Sequence, residues 1–191
     1  MPKDRKGQCA MRIVATPKIM TDAEAYAKAK KGGNMFGKAM YGNKDITLKL
    51  MYLESREVIL DLHYRPAPLM RWLGKTDVKT PSTQKIRMIV EGTRCTASYA
   101  EAPVKTVRID VDDETAIQKT EYTDEQIIAA AKRPALRMVR RQIGKVATAE
   151  LSSMRSIYRP YYVAFYGELK MGERVRYLPI AADGNKVERS L

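Results

Sequence analysis

Two helix-start signatures recur in this chain 102 residues apart, and they constrain its fold more than any other feature. Thr21 and Glu24 form a T-x-x-E capping box, and Thr123 and Gln126 form a T-x-x-Q box. In each, a hydroxyl and a side-chain oxygen satisfy backbone N–H groups that a helix start leaves open. Asp22 and Asp124, and Gly42 and Gly144, keep the same spacing. Tyr52 and Tyr158 lie 106 apart, which places a four-residue insertion between them. Further on, "IRMIVEGT" from Ile86 matches "LPIAADGN" from Leu178, with shared period-two apolar positions and a closing acidic-Gly turn. Each helix meets a breaker, Gly32-Gly33 in the first copy and Pro134 in the second. Strands follow at 46–62 and 156–166. The pattern predicts an α+β fold of two tandem pseudo-symmetric repeats, each a kinked helix packed on a small antiparallel sheet. The first repeat spans 1–104 and the second 105–191, together one compact unit.

The second strand carries "IYRPYYVAFYG", a concentration of rings in a chain with two Phe and one Trp. Alternation puts Tyr158, Tyr162 and Tyr166 on one face and Ile157, Tyr161, Val163 and Phe165 on the other. Apolar mass on both faces predicts a strand covered on both sides, with Tyr161, Val163 and Phe165 buried. Tyr158, Tyr162 and Tyr166 are candidates for an interface, and a base-stacking platform is the alternative. Pro160 cannot donate to a ladder, which predicts a sheet edge or a bulge.

A net charge of +13 points to an anionic partner. On the second helix, Ile128, Ala131, Ala135, Val139 and Val146 form an apolar stripe, and Arg133, Arg137, Arg140 and Arg141 fall opposite. Their counterparts in the first copy are Lys31, Met35, Lys38 and Ala39, so half of the positive face is kept there, in Lys31 and Lys38. Such a face suits phosphates or an acidic protein. The first copy also carries about fourteen extra residues, an insertion at about 65–80 with Leu69, Met70, Trp72 and Leu73 behind Pro66 and Pro68. Trp72 and Met70 are read as anchors against the sister repeat or a second subunit.

Catalytic and metal chemistry find no motif. Cys9 and Cys95 are far apart and lack zinc or disulfide spacing. Asp110, Asp112, Asp113 and Glu114 have no metal-loop spacing. Gly32, Gly37 and Lys38 imitate a phosphate loop, but Ala39 replaces the required hydroxyl and a helix precedes it. His63, the one histidine, lies near Asp61 and Ser55 without a nucleophile elbow. No catalytic residue, metal or cofactor is therefore expected. No run approaches the length of a membrane span, and the charged N-terminus lacks an apolar signal core, so a cytoplasmic protein without membrane insertion is expected.

The segment "YYVAFYGELKMGERVRYLPIAADGNKVE", Tyr161 to Glu188, resembles the end of a PepSY-type module, in which two antiparallel strands close on an acidic-Gly turn. The resemblance covers about one repeat's sheet. It implies a small non-catalytic α+β regulator. Such modules often act outside the cytoplasm, and the missing export signal departs from that. The expected function is a non-catalytic binding or regulatory module for an acidic partner, acting as a homo-oligomer. A basic nucleic-acid-binding protein using the arginine face is the alternative. An enzyme with its site between the repeats is a third reading, with no motif behind it.

Overall fold

The two capping boxes form as the sequence predicts. In the computed structural model, which describes residues 11–31, 45–65, 83–111, 116–143, 146–167 and 175–184, Thr21 N donates to Glu24 Oε2 at 2.9 Å and Glu24 N donates to Thr21 Oγ1 at 3.3 Å. The second box repeats this: Thr123 N donates to Gln126 Oε1 at 3.0 Å and Gln126 N to Thr123 Oγ1 at 3.4 Å. These boxes open α1 (Asp22–Lys31) and α2 (Asp124–Ile143). Both helices carry acids in the first turn and bases in the last, which complements the helix dipole.

Among the described residues eight strands accompany them: β1 (Met11–Ala15), β2 (Ile46–Arg65), β3 (Thr83–Glu91), β4 (Thr96–Tyr99), β5 (Val107–Val111), β6 (Ile117–Gln118), β7 (Val146–Tyr166) and β8 (Arg176–Ala181). They are hydrogen-bonded in the order β4-β3-β2-β7-β1-β5, with β6 paired to β2 and β8 to β7. The sheet is mixed: β1/β7 and β2/β6 run parallel, and β1/β5, β2/β3, β3/β4 and β7/β8 antiparallel.

This overturns the expected fold of two tandem helix-on-sheet repeats. The strands form one mixed sheet, and the two compact units interleave segments from both halves of the chain. One unit comprises Met1–Glu54, Lys105–Lys119 and Ile157–Val187; the other comprises Ser55–Val104, Thr120–Ser156 and Glu188–Leu191. The physical reason lies in β2 and β7. At 20 and 21 residues they are far longer than an ordinary strand, so each supplies a half to each unit. Strand pairing is long-range, and local pattern does not specify the partner.

In the first unit, β1 pairs with β5 from Met11↔Val111 to Ala15↔Val107 and with β7 at Ala15↔Tyr158. α1 buries Ala25 and Ala29 completely, small side chains that admit a close approach of helix to sheet. They pack against Tyr162, Ala164, Tyr166 and Ala182, from the second half of the chain, with Leu48 and Ile180 alongside. The Tyr166 hydroxyl donates to Ala29 O at 2.8 Å, tying the strand to the helix backbone. Ile13, Ala15, Val111 and Tyr158 form a further apolar cluster.

In the second unit, β2 pairs with β3 from Ser55↔Glu91 to His63↔Thr83. Val58, Leu60, Leu62, Ile86, Met88 and Val90 share one sheet face and pack under Ile127, Ala131, Ala135 and Val139 of α2. The helix therefore covers strands from the first half of the chain. Its stripe runs at strict i+4 spacing from Ile127, so Ile128 is only half-buried, and Val146 belongs to β7. α2 continues through Pro134 without interruption, contrary to the expected break, while Gly32-Gly33 lie outside the described residues.

Pro160 also departs from expectation. It is fully buried in a strand that lies between β2 and β1 in the sheet order. Tyr158 O accepts from Thr16 N at 2.8 Å and Pro160 O accepts from Ala182 N at 2.9 Å. The β7 partner on this edge changes from β1 to β8 between those bonds, so the missing N–H falls where no ladder bond is required.

Candidate functional site

The arginine face of α2 is open to solvent. Arg133, Arg137, Arg140 and Arg141 are all exposed, while Ile127, Ala131, Ala135 and Val139 are buried on the other side of the helix. The four arginines lie within nine residues, about 12 Å of helix axis. No acidic residue occurs between Lys132 and Ile143. None of the four makes an ion pair with a described residue. Arg140 and Arg141 lie in the last turn, where the helix dipole favours cations; Arg133 and Arg137 lie in mid-helix, outside that influence.

The other expected site residues separate. Lys31 is exposed at the end of α1. Lys38, Met70 and Trp72 lie outside the described residues, as do Gly32, Gly37 and Cys9. Tyr158, Tyr162 and Tyr166 are 8%, 3% and 7% exposed and pack within the first unit, so they present no row of rings to a base. Tyr161 and Val163 are buried as expected, whereas Phe165 is only half-buried.

Several buried polar groups were not anticipated from sequence. Asp183 accepts from Arg159 Nε at 2.7 Å, from Arg159 Nη2 at 3.0 Å and from Thr16 Oγ1 at 3.2 Å. Glu57 is 3% exposed and is gripped by Arg155 and by Arg87, whose Nε lies 2.9 Å from Glu57 Oε1. The Tyr162 hydroxyl donates to Asp22 and accepts from Lys18 Nζ at 3.0 Å. That hydrogen bond holds the Asp22 carboxyl below its ordinary range, and burial pushes the Tyr162 phenol up. The one advance signal was a charge placed inside an apolar strand, as in "ESREVILDL"; the partners sit on strands distant in sequence.

The remaining reactive side chains are held in local contacts. His63 Nε2 is 3.7 Å from Glu150 Oε2. Cys95 occupies the β3–β4 turn at φ +52°, with its sulfur 3.7 Å from Gln126 O, and burial raises its thiol, which makes it a poor nucleophile. Asp110 pairs with Arg12 at 2.8 Å. Among the described residues no group of three acids, histidines or cysteines is placed to hold a metal, and no helix is long and apolar enough to cross a membrane. No protein-family model, curated protein or solved structure matches this chain.

Proposed function

We propose that this protein is a non-catalytic binding module that engages an acidic protein through the exposed arginine face of α2. The observation that supports the reading is the placement of Arg133, Arg137, Arg140 and Arg141 together on solvent, opposite the buried stripe, with no acid along that stretch of helix. Guanidinium groups at helical spacing offer paired donors that match carboxylates. The net charge of +13 adds long-range attraction for such a partner. The antiparallel β7–β8 pair, which runs on to the turn at Asp183 and Gly184, is the part that resembles a PepSY-type module and agrees with a regulatory role. A cytoplasmic location belongs to the same proposal and is checked by cell fractionation.

The test is anisotropy titration of labelled poly-glutamate and of a short oligothymidylate across a salt series. It compares the wild type with the variant carrying Arg133→Gln, Arg137→Gln, Arg140→Gln and Arg141→Gln. Poly-glutamate binding is expected to weaken at least about tenfold in the variant, since each charge-assisted contact carries appreciable affinity. Unchanged poly-glutamate binding overturns the reading. Tighter binding of the oligonucleotide, with a salt slope that drops by about 3 in the variant, assigns the face to nucleic acid instead.

A further inference from the structure

The second unit has a polar sheet face on the side away from α2. Along β2 the even residues Val58, Leu60 and Leu62 lie under the helix, so Glu57, Ile59, Asp61 and His63 line the opposite face. A cleft of about 290 Å3 opens on that face. Ile59 of β2, Lys85 and Arg87 of β3, Tyr99 of β4, and Ser152 and Ser153 of β7 line it. Four strands thus converge on one small cavity.

The chemistry of this lining is rich in donors. Lys85 is exposed and makes no ion pair with a described residue, even though Asp61 faces it across the ladder. Arg87 Nε lies 2.9 Å from Glu57 Oε1, an ion pair that keeps the guanidinium on this face. Glu57 is itself shared with Arg155, so its charge is divided between two arginines. Ser152 and Ser153 add two exposed hydroxyls. Among the described residues Glu101 is an exposed carboxylate of the cleft lining, and Glu57 and Asp61 lie on the same sheet face. Tyr99 pairs with Met88, so its 53% exposed ring stands on the α2 side of the sheet and its backbone borders the cleft. Ile59 pairs with Arg87 and supplies an apolar side chain on the cleft face.

We infer that this cleft binds a small organic phosphate: Lys85, Arg87 and the two serines receive the phosphate, and Ile59 receives its apolar body. An ammonium, a guanidinium and hydroxyls together are the donor set that a phosphate's several acceptor oxygens require. The volume lies near the lower end for small-molecule pockets, which limits the body to about one ring. The site is independent of the α2 arginines.

Phenyl phosphate is the probe, with inorganic phosphate and phenol as its separate parts. Two-dimensional amide NMR of the full chain follows each titration, in the wild type and in Lys85→Gln, Ser152→Ala/Ser153→Ala and Arg137→Gln. Phenyl phosphate is expected to shift amides at 85–87, 99–101 and 152–153, and to bind more tightly than either part. Lys85→Gln is expected to weaken it about tenfold, as loss of one charge-assisted contact does. Arg137→Gln is expected to leave it unchanged. Both replaced groups are exposed, so the variants keep the wild-type spectrum elsewhere. Shifts confined to α2, equal weakening by Lys85→Gln and Arg137→Gln, or no localised shifts would overturn the inference.

Discussion

Replacing Asp183 by alanine removes a carboxylate whose side chain is 1% exposed and whose partner guanidinium, on Arg159, is 11% exposed. Two bonds from Arg159, at 2.7 and 3.0 Å, and one from Thr16, at 3.2 Å, converge on it. Its formation cost both ions their hydration. Taking away one partner leaves the other charge in a nearly dry place, which costs about 3–5 kcal/mol. Arg159 also lies 5.5 Å from the centre of the Tyr161 ring, which retains part of its stabilisation and favours the lower end of that range. Against a net stability of about 5–15 kcal/mol the loss is large. For a chain of this size each kcal/mol lowers the melting temperature by about 2–4 °C, so a fall of roughly 6–20 °C is expected. Urea unfolding followed by circular dichroism would compare the wild type, Asp183→Ala, Arg159→Met and the double variant. If the penalty comes from a stranded charge, the double variant is less destabilised than the sum of the single ones. A loss under about 1 kcal/mol for Asp183→Ala, or strict additivity, would refute the assignment of this pair as a buried, coupled bridge.

Three further outcomes are expected. Tyr166→Phe removes the buried hydrogen bond to Ala29 O, so chemical denaturation should show a loss of about 0.5–1.5 kcal/mol; an unchanged midpoint would speak against the contact. A fragment of residues 1–104 lacks α2, which covers Val58, Leu60, Leu62 and Met88, so it should show no cooperative melting by calorimetry; a sharp transition would contradict the interleaved cores. The Asp22 carboxyl is lowered in the fold by the Tyr162 hydroxyl, so its contribution is fully present above the unfolded value of about 3.9 and is lost as pH falls through the lowered folded value. Asp22→Asn should therefore flatten the acid limb of the stability profile below about pH 4, and an identical limb would count against that hydrogen bond.

What the sequence determined by itself was local. The capping boxes at Thr21 and Thr123 depend on residues three apart, so they could be read directly and both form. The exposed arginine face of α2 follows from residue identity at about 100° per residue, and the four arginines do face solvent. Burial of Tyr161 and Val163 followed from apolar side chains on both faces of a strand. Tertiary structure decided the rest. Whether Ile127 or Ile128 enters the core depends on which sheet the helix meets, since adjacent isoleucines satisfy the same pattern. That α1 packs on the β7–β8 pair, and α2 on β2 and β3, rests on contacts between residues a hundred or more positions apart in several cases, which no short-range spacing encodes. Pro160 tolerates an interior strand only because β1 gives way to β8 beside it. Glu57 and Asp183 are buried bridges because Arg87, Arg155 and Arg159 reach them from elsewhere in the chain. Helix caps and helix faces are settled within one or two turns; strand partners are settled by chain closure over long separations, and there the local pattern is degenerate.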